Sequence, residues 1–165
     1  MNSLLKYIIL CSCLLFIWSC DDDDDDVNFN DCGCVDIDET ESEYFYGSGD
    51  YTSHYFDISD ISDCSNATLY VTLEGDYGSS SEYVNLYING NYYTYITPDL
   101  PYDCYPGGDS YTIYFDSSDI SNWLSYSNSL YIELANSGSV SSYECNDYSY
   151  YYGPSRHTVR LTTGY

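Results

Sequence analysis

Few side chains in this sequence are typical catalytic groups, apart from the many carboxylates. The chain contains two histidines. His54 is in phase with Phe56 and Ile58 of an alternating segment, and His157 begins the last such segment beside Arg156. A histidine on the apolar side of a strand is more often a hydrogen-bonded structural residue than a catalytic base. We therefore expect both histidines to be structural.

The other candidates for catalysis are equally weak. Gly108-Asp109-Ser110 resembles the nucleophile block of a hydrolase family, but a predicted strand follows it where that family has a helix. The chain has neither a Gly-x-Ser-x-Gly elbow nor a His-Glu-x-x-His pair. Carboxylates are frequent enough for glycoside cleavage, yet about 120 residues of a short-looped fold leave little chain to build a cleft. We predict that the protein is not an enzyme.

An acidic loop over residues 74–82 offers oxygen ligands of the hard kind that calcium prefers. Asp76 and Glu82 are the candidate ligands. The loop does not have the EF-hand spacing, and a solvated hairpin loop is the interpretation we favour. No cofactor is predicted, and structural calcium is the one that the sequence leaves open.

Tyrosine is the most unusual feature of the composition, with 24 residues, all but Tyr7 in residues 44–165. Many lie in the solvent-facing phase of predicted strands: Tyr70, Tyr83, Tyr87, Tyr114 and Tyr131. Tyrosine suits a half-buried pleated surface, and this explanation is favoured for any single ring. The alternative is an aromatic platform for sugar rings or a protein partner, with Tyr83, Tyr87 and Tyr92 as the candidate binding residues.

The elements that must position these residues are short alternating segments separated by Gly, Asn, Asp, Ser and Pro. Their apolar phases are Leu69–Val71–Leu73, Val84–Leu86–Ile88, Tyr111–Ile113–Phe115, Leu130–Ile132–Leu134 and Val159–Leu161. One apolar and one polar face per strand indicates antiparallel sheets. Asn89-Gly90 predicts a type I′ hairpin that leads into a strand over Tyr92–Ile96. No stretch has a long helical period, so we predict an all-β protein.

An internal repeat indicates how the strands connect. Residues 55–62 (YFDISDIS) recur as residues 114–121 (YFDSSDIS), and each copy precedes a similar strand. We expect a strand, a capped turn, a core plug at Ile61 or Ile120, and a crossing to the other sheet. The prediction is an antiparallel two-sheet, jelly-roll-like β-sandwich of about eight strands, supported by disulfides. In pattern it is similar to the galactose-binding-like fold of extracellular carbohydrate-binding and adhesion modules.

The amino terminus resembles a lipoprotein export signal. Lys6 precedes an apolar run that ends in Ile17-Trp18-Ser19-Cys20, which is similar to a lipobox with Cys20 as the lipidated residue. Six aspartates follow: Asp21, Asp22, Asp23, Asp24, Asp25 and Asp26. The combination resembles surface-exposed lipoproteins of the Bacteroidetes type and implies a lipid anchor on the outer membrane at the cell surface. An uncleaved membrane anchor and a plain secreted protein are the alternatives.

Eight cysteines fit this exported setting, where disulfides persist. Cys11 and Cys13 leave with the signal, and the candidates for disulfides are Cys32, Cys34, Cys64, Cys104 and Cys145. We expect Cys104–Cys145, and Cys64 with Cys32 or Cys34. Cys-Gly-Cys lacks the spacing of zinc sites.

The acidic residues behind the net charge of −24 are unevenly distributed, and the chain divides into three predicted parts. We predict a signal peptide over 1–19, a lipidated acidic tether over 20–43 with twelve of the 27 acidic residues, and a β-sandwich domain over 44–165. Such a polyanion repels nucleic acids and anionic membranes, so contact with a membrane is expected only through the lipid anchor. An apolar content of 44% excludes a disordered chain.

The function expected from these features is non-catalytic binding of a neutral glycan or glycoconjugate. The alternative is a structural or adhesive protein that self-associates, or binds a protein partner, through Tyr-rich faces. Both require exposed rings on a rigid sheet.

Overall fold

The protein is described by a computed structural model that covers residues 37–61, 66–141, 145 and 155–164. Eight strands and one helix follow each other along the chain: β1 (Asp38–Tyr44), β2 (Tyr51–Asp57), β3 (Asn66–Glu74), β4 (Val84–Ile88), β5 (Asn91–Ile96), β6 (Asp109–Asp116), α1 (Ser117–Tyr126), β7 (Ser129–Asn136) and β8 (Arg156–Gly164). Within the described residues, no helix is long and apolar enough to cross a bilayer.

The strands form two four-stranded sheets. The first sheet has the order β1-β8-β3-β6 and the second sheet the order β2-β7-β4-β5, with every neighbouring pair antiparallel. Alternate residues of both sheets form one buried core, and the predicted apolar phases of β3, β4, β7 and β8 all lie in it. The predicted all-β, two-sheet sandwich of eight strands is confirmed. The resemblance to galactose-binding-like modules stays a prediction.

The hairpin between β4 and β5 forms at the predicted position. Asn89 and Gly90 have φ values of 49° and 76°, so both central residues have the positive φ that a type I′ turn requires. The pairing shifts by one residue between Leu86 and Tyr87, because β5 contains an extra residue there.

Both copies of the repeat cross between the sheets, in opposite directions. The first copy leads from β2 in the second sheet to β3 in the first, and the second copy leads from β6 in the first sheet to β7 in the second. Ile61 and Ile120 are buried, as expected of core plugs. Residue 62, the last of the first copy, and residues 63–65 that follow it lie outside the described residues.

The second copy continues as a helix, which the sequence analysis did not predict. In the first copy Ile58 is buried, and its N–H donates to the Asn128 carbonyl at 2.8 Å. Ser117 occupies the equivalent position in the second copy and is exposed, so the chain is free to turn into α1 after Asp116. Only Ile120 and Trp123 of this ten-residue helix are buried, which is too few for a recognisable helical period.

The acidic tether is shorter than expected, because residues 38–43 belong to β1. β1 pairs along its whole length with β8 and has exposed side chains on both faces. Arg160 donates to both carboxylate oxygens of Asp38, at 2.6 and 2.7 Å, and the hydroxyls of Ser42 and Thr158 share a hydrogen bond of 2.8 Å. An edge strand without an apolar face has no period-2 pattern, which is why sequence alone assigned it to the tether.

Cys104 and Cys145 form the expected disulfide, with their Cα atoms 5.2 Å apart. The two cysteines are 41 positions apart in the sequence, so the disulfide closes a long loop of the chain. The other disulfide candidates, Cys32, Cys34 and Cys64, lie outside the described residues, as do Cys20 and the six aspartates that follow it.

Candidate functional site

The three tyrosines of the predicted platform lie on or beside the outer face of the second sheet. Tyr87 of β4 pairs directly with Tyr92 of β5, and their ring centroids are 5.7 Å apart in an edge-to-face arrangement. Tyr83 immediately precedes β4 and is 37% exposed. The three rings therefore lie along the β4–β5 edge of one sheet surface.

A fourth ring, Tyr95, belongs to the same surface. It pairs with Asn85 of β4 and is 62% exposed, and its ring centroid lies 6.2 Å from that of Tyr83. If side chains alternated strictly along β5, Tyr95 would lie on the same face as Tyr93 and on the opposite face from Tyr92. The extra residue in β5 reverses this, so Tyr92 and Tyr95 share the outer face while Tyr93 contacts Phe115 of the opposite sheet at 5.6 Å. The sequence gives no signal for the position of a bulge.

An open groove of about 540 Å³ lies beside Tyr83 and Tyr95. Its other lining residues are Ser80, Asn85 and Thr97, so hydroxyl and amide groups surround two aromatic rings. Asn85 pairs with Tyr95 on one side and with Ala135 of β7 on the other.

The outer face continues across β7 and β2. Tyr55 and Tyr131 form a direct cross-strand pair, with ring centroids 4.8 Å apart. The Tyr131 hydroxyl donates to Glu133 at 2.8 Å and shares a hydrogen bond with Ser53 at 3.1 Å. We call the outer face of the second sheet the tyrosine face, defined by Tyr51, Tyr55, Tyr83, Tyr87, Tyr92, Tyr95 and Tyr131.

The part of the tyrosine face formed by β4, β5 and their flanks is uncharged. Residues 83–98 contain no Asp, Glu, Lys or Arg, although acidic residues are frequent elsewhere. Asn85, Asn89 and Asn91 supply amide groups in this segment instead. This segment therefore presents no charged side chain of its own, although the acidic Glu133 of β7 pairs directly with Tyr87.

The calcium candidates, Asp76 and Glu82, come close to each other and to Asp103. One carboxylate oxygen of each lies within 4.8 Å of the other two. The sequence does not associate Asp103 with the predicted loop, because it lies 21 residues after Glu82. Tertiary packing places Asp103 against Gly78, so closely that a Cβ atom added to Gly78 would lie 2.3 Å from Asp103 Oδ1. The Gly78 N–H donates to that same oxygen at 2.7 Å.

The loop over residues 74–82 is not the solvated hairpin loop that we favoured. Asp76 and Tyr77 are buried, and Asp76 accepts a hydrogen bond of 2.9 Å from the Ser141 N–H. Burial raises the pKa of the Tyr77 hydroxyl well above its usual range, and the nearby Asp76 and Glu82 carboxylates raise it further. Calcium binding stays a prediction, since acidic groups also cluster without an ion.

Both histidines lie in a buried chain of hydrogen bonds, as expected of structural residues. Thr52 Oγ1 lies 3.0 Å from His54 Nε2 and 2.8 Å from His157 Nδ1. His157 Nε2 lies 2.7 Å from the Tyr77 hydroxyl, which donates to Asn136 Oδ1. Burial lowers the pKa of His54 to about 4 and that of His157 to about 3, so both rings are neutral at pH 7.

The direction of these hydrogen bonds follows from the Tyr77 proton. Since Tyr77 donates to Asn136, its oxygen must accept from His157 Nε2–H, and His157 Nδ1 must accept from Thr52. Thr52 in turn accepts from His54 Nε2–H. Among the described residues, His54 Nδ1 is left without a partner at the end of the chain. The arrangement uses both imidazoles as neutral connectors between the two sheets.

The Gly108-Asp109-Ser110 segment also makes structural contacts. Asp109 Oδ2 accepts hydrogen bonds from the Tyr111 hydroxyl at 2.6 Å and from the Asp99 N–H at 3.0 Å. The Ser110 hydroxyl shares a hydrogen bond of 2.8 Å with Thr72 on the neighbouring strand. The described contacts of Ser110 therefore do not include a histidine that could activate it.

The described surface thus has a groove beside Tyr83 and Tyr95, in the uncharged β4–β5 segment of the tyrosine face, and one acidic cluster of the kind that also occurs without a ligand. The tyrosine face is positioned by a hairpin whose turn and strands the sequence predicts. No protein-family model matches this chain, and no curated protein sequence matches it.

Proposed function

We propose that this protein is a cell-surface lipoprotein whose sandwich domain binds a neutral glycan or glycoconjugate without catalysis. The observation that carries the proposal is the aromatic and amide-lined groove in an uncharged segment of an otherwise acidic chain. The C–H faces of a neutral sugar ring pack on aromatic rings, and its hydroxyls bond to amides and hydroxyls. Both kinds of group are present around Tyr83, Tyr95 and Asn85.

The location at the cell surface is proposed from the sequence alone. Ile17-Trp18-Ser19-Cys20 followed by Asp21–Asp26 fits a lipidated, exported protein on the outer membrane. Two or more acyl chains hold a protein durably on a bilayer. The negative charge of the segment after Cys20 keeps it away from an anionic surface, so the domain would face outward.

The binding proposal is tested with full-length protein by affinity gel electrophoresis. The probes are the neutral polysaccharides laminarin, xylan, galactomannan and mannan, with polygalacturonate as the anionic comparison. We expect retardation by at least one neutral polysaccharide and none by polygalacturonate. Tyr87→Ala should weaken the retardation about tenfold, since it removes an aromatic contact.

The matched control is Tyr114→Ala. Tyr114 is 77% exposed but lies on β6, in the outer phase of the first sheet, so its removal should leave retardation unchanged. An equal loss with Tyr114→Ala, or no retardation by any of the four neutral polysaccharides, would contradict the proposal.

A second candidate function, self-association, is favoured by the edge position of β5. Its sequence NYYTYI is uncharged and rich in β-formers, and exposed strand edges of this kind pair with other strands. Sedimentation of the full-length protein over a hundredfold concentration range would then show a dimer that Tyr95→Lys abolishes and Tyr114→Lys does not. A monomer at every concentration would reject this candidate.

A further inference from the structure

A second concave site lies at the tip of the β4–β5 hairpin, where the hairpin faces α1. It is a cleft of about 230 Å³, distinct from the groove at Tyr83 and Tyr95. Its walls come from two elements that are far apart in sequence: Asn91, Tyr92 and Tyr93 of β5, and Asp119, Asn122 and Trp123 of α1. We call it the hairpin–helix cleft.

The helix side of the cleft is one face of α1. Asp119, Asn122 and Trp123 are spaced i, i+3 and i+4, so their side chains are neighbours on the helix surface. A capping box fixes the start of this face: Asp116 Oδ1 accepts from the Asp119 N–H at 3.1 Å, and Asp119 Oδ2 accepts from the Asp116 N–H at 3.2 Å. The Asp119 carboxylate is therefore held in place by one of its two oxygens.

The apolar part of the cleft is a cluster of aromatic rings. Phe115 lies between Trp123, at a centroid distance of 4.7 Å, and Tyr93, at 5.6 Å. Trp123 is nearly buried, while Tyr93 is about half exposed at the rim. These contacts make a rigid aromatic wall instead of a set of mobile surface rings.

The polar part of the cleft consists of amide groups, of which some are fixed and some are unused. Asn89 Oδ1 accepts from the Tyr131 N–H at 2.9 Å, and Asn91 Nδ2 donates to the Asn89 carbonyl at 3.3 Å, which fixes the hairpin tip. In contrast, the Asn122 amide and the Trp123 indole N–H form no hydrogen bond with any residue that the structure describes. Donors and acceptors thus remain available beside an aromatic wall.

From this geometry we infer that the hairpin–helix cleft binds a single neutral sugar ring, the terminal unit of a glycan whose chain lies on the tyrosine face. The volume is below the 300–1,000 Å³ or so of sites for drug-sized molecules and suits one ring. Tyr92 connects the hairpin–helix cleft with the tyrosine face, since it lines the cleft and packs edge-to-face on Tyr87. The inference rests on the proposed glycan-binding function and extends it to recognition of chain ends.

The charge of the cleft restricts the ring. Among the described residues that line the cleft, Asp119 is the only acidic side chain and none is Lys or Arg. A carboxylated or sulfated sugar would meet a like charge without a compensating cation. A neutral ring can instead donate its hydroxyl protons to the Asp119 carboxylate and accept from the amides.

Tryptophan fluorescence tests this site directly. Trp18 and Trp123 are the two tryptophans of the chain, so in the full-length Trp18→Phe protein all tryptophan emission comes from the cleft. The probes are glucose, galactose, mannose and N-acetylglucosamine, each titrated to about 100 mM, the range that millimolar affinity requires. Glucuronic and galacturonic acid are the charged comparisons.

We expect a saturable change in emission with at least one neutral sugar and none with the two acids. Asn122→Ala should weaken that response roughly five- to tenfold through the loss of its hydrogen bonds, while Tyr114→Ala should not change it. No response to any of the four neutral sugars, or an equal response to the acids, would overturn the inference.

Failure of the inference can be separated from failure of the proposed function. Polysaccharide retardation that Tyr87→Ala weakens, together with no monosaccharide response at Trp123, leaves the proposed function standing and rejects chain-end recognition. Polysaccharide retardation that Asn122→Ala weakens as strongly as Tyr87→Ala supports it, because both sites then contribute to one ligand.

Discussion

β1 and β5 are edge strands of the two sheets, and they carry opposite kinds of side chain. Each leaves one row of backbone N–H and C=O groups unpaired, which invites pairing with other chains. β1 (DETESEY) has four acidic residues; Arg160 on β8 pairs with its Asp38, and the Arg156 guanidinium lies over its Tyr44 ring. β5 (NYYTYI) has no charge and exposes aromatic rings. β1 therefore carries charges of the kind that disfavour the addition of another strand, whereas β5 carries none.

The protection by β1 extends to the other sheet. Glu41 accepts a hydrogen bond of 2.9 Å from the Tyr55 N–H, which lies on the free edge of β2. β1 is thus itself the edge of the first sheet and contacts the edge of the second. Among the described residues, no carboxylate bonds to the backbone of β5 in this way.

The largest expected effect is acid destabilisation, which originates in the interior and not in either edge. The pKa of both histidines is lowered in the folded state, so their contribution is fully present above the unfolded value near 6.5 and is lost as the pH falls towards about 4 and 3. At about 1.4 kcal/mol per pKa unit, His54 alone accounts for about 3 kcal/mol. Urea unfolding at a series of pH values between 7 and 4 measures this loss.

The acid transition also separates the buried histidines from the exposed ion pair of β1. The Arg160 guanidinium holds the pKa of Asp38 below its usual range, so the ion pair of β1 persists until the pH falls below about 4. Imidazole NMR signals should show no titration near pH 6.5. A histidine that titrates there, or stability that is constant from pH 7 to 4, would contradict the buried neutral chain.

Removal of Arg156 should cost about 2–3 kcal/mol of unfolding free energy. Its partner, the Glu74 carboxylate, is only 8% exposed and would lose this ion pair, while the guanidinium itself is 31% exposed, which reduces the cost below that of a fully buried pair. Denaturant midpoints of Arg156→Leu measure it. The double variant Arg156→Leu/Glu74→Leu should recover most of the loss, and failure to recover would show that packing, not charge, is responsible.

Substitution of Tyr95 should separate binding from stability at β5. Its ring is mostly exposed and contacts Tyr83 on one side, so Tyr95→Ala should weaken polysaccharide retardation about tenfold and lower the unfolding free energy by less than about 1 kcal/mol. Retardation and thermal unfolding on the same samples make the comparison. A large loss of stability without a change in retardation would assign this ring to the fold.

Removal of Arg160 should have the smallest effect. Both members of its pair with Asp38 are about half exposed, so Arg160→Ala should leave the free energy of unfolding almost unchanged, and about 0.5 M salt should have a similarly small effect on the unmodified protein. Denaturant unfolding with and without salt measures both. A cost as large as that of Arg156→Leu would mean that β1 depends on this exposed pair.

The strands that the sequence predicted have a common property, which is one apolar and one polar face. β3, β4, β7 and β8 bury alternate residues, and Asn89-Gly90 can form only a few turn types, so pattern and turn chemistry agree. β1 and α1 were missed because neither has such a pattern. β1 is exposed on both faces, and α1 buries only Ile120 and Trp123.

The candidate site was predicted in part for the same reason. Tyr83, Tyr87 and Tyr92 lie where the hairpin pattern predicts, but a bulge adds Tyr95 to the same face, and the position of a bulge depends on how two strands pair. Asp103 joins Asp76 and Glu82, and α1 meets the hairpin tip, only through long-range packing.

The sequence by itself determined the all-β class, the β4–β5 hairpin and the strongly acidic character of the chain, because these follow from local periodicity, turn chemistry and summed charge. Only the tertiary structure decided which tyrosines share a face, which carboxylates meet and which helix residues face the hairpin. Those relations depend on register and on the crossing of the chain between two sheets. Both are set by contacts between residues far apart in sequence, and no local pattern records them.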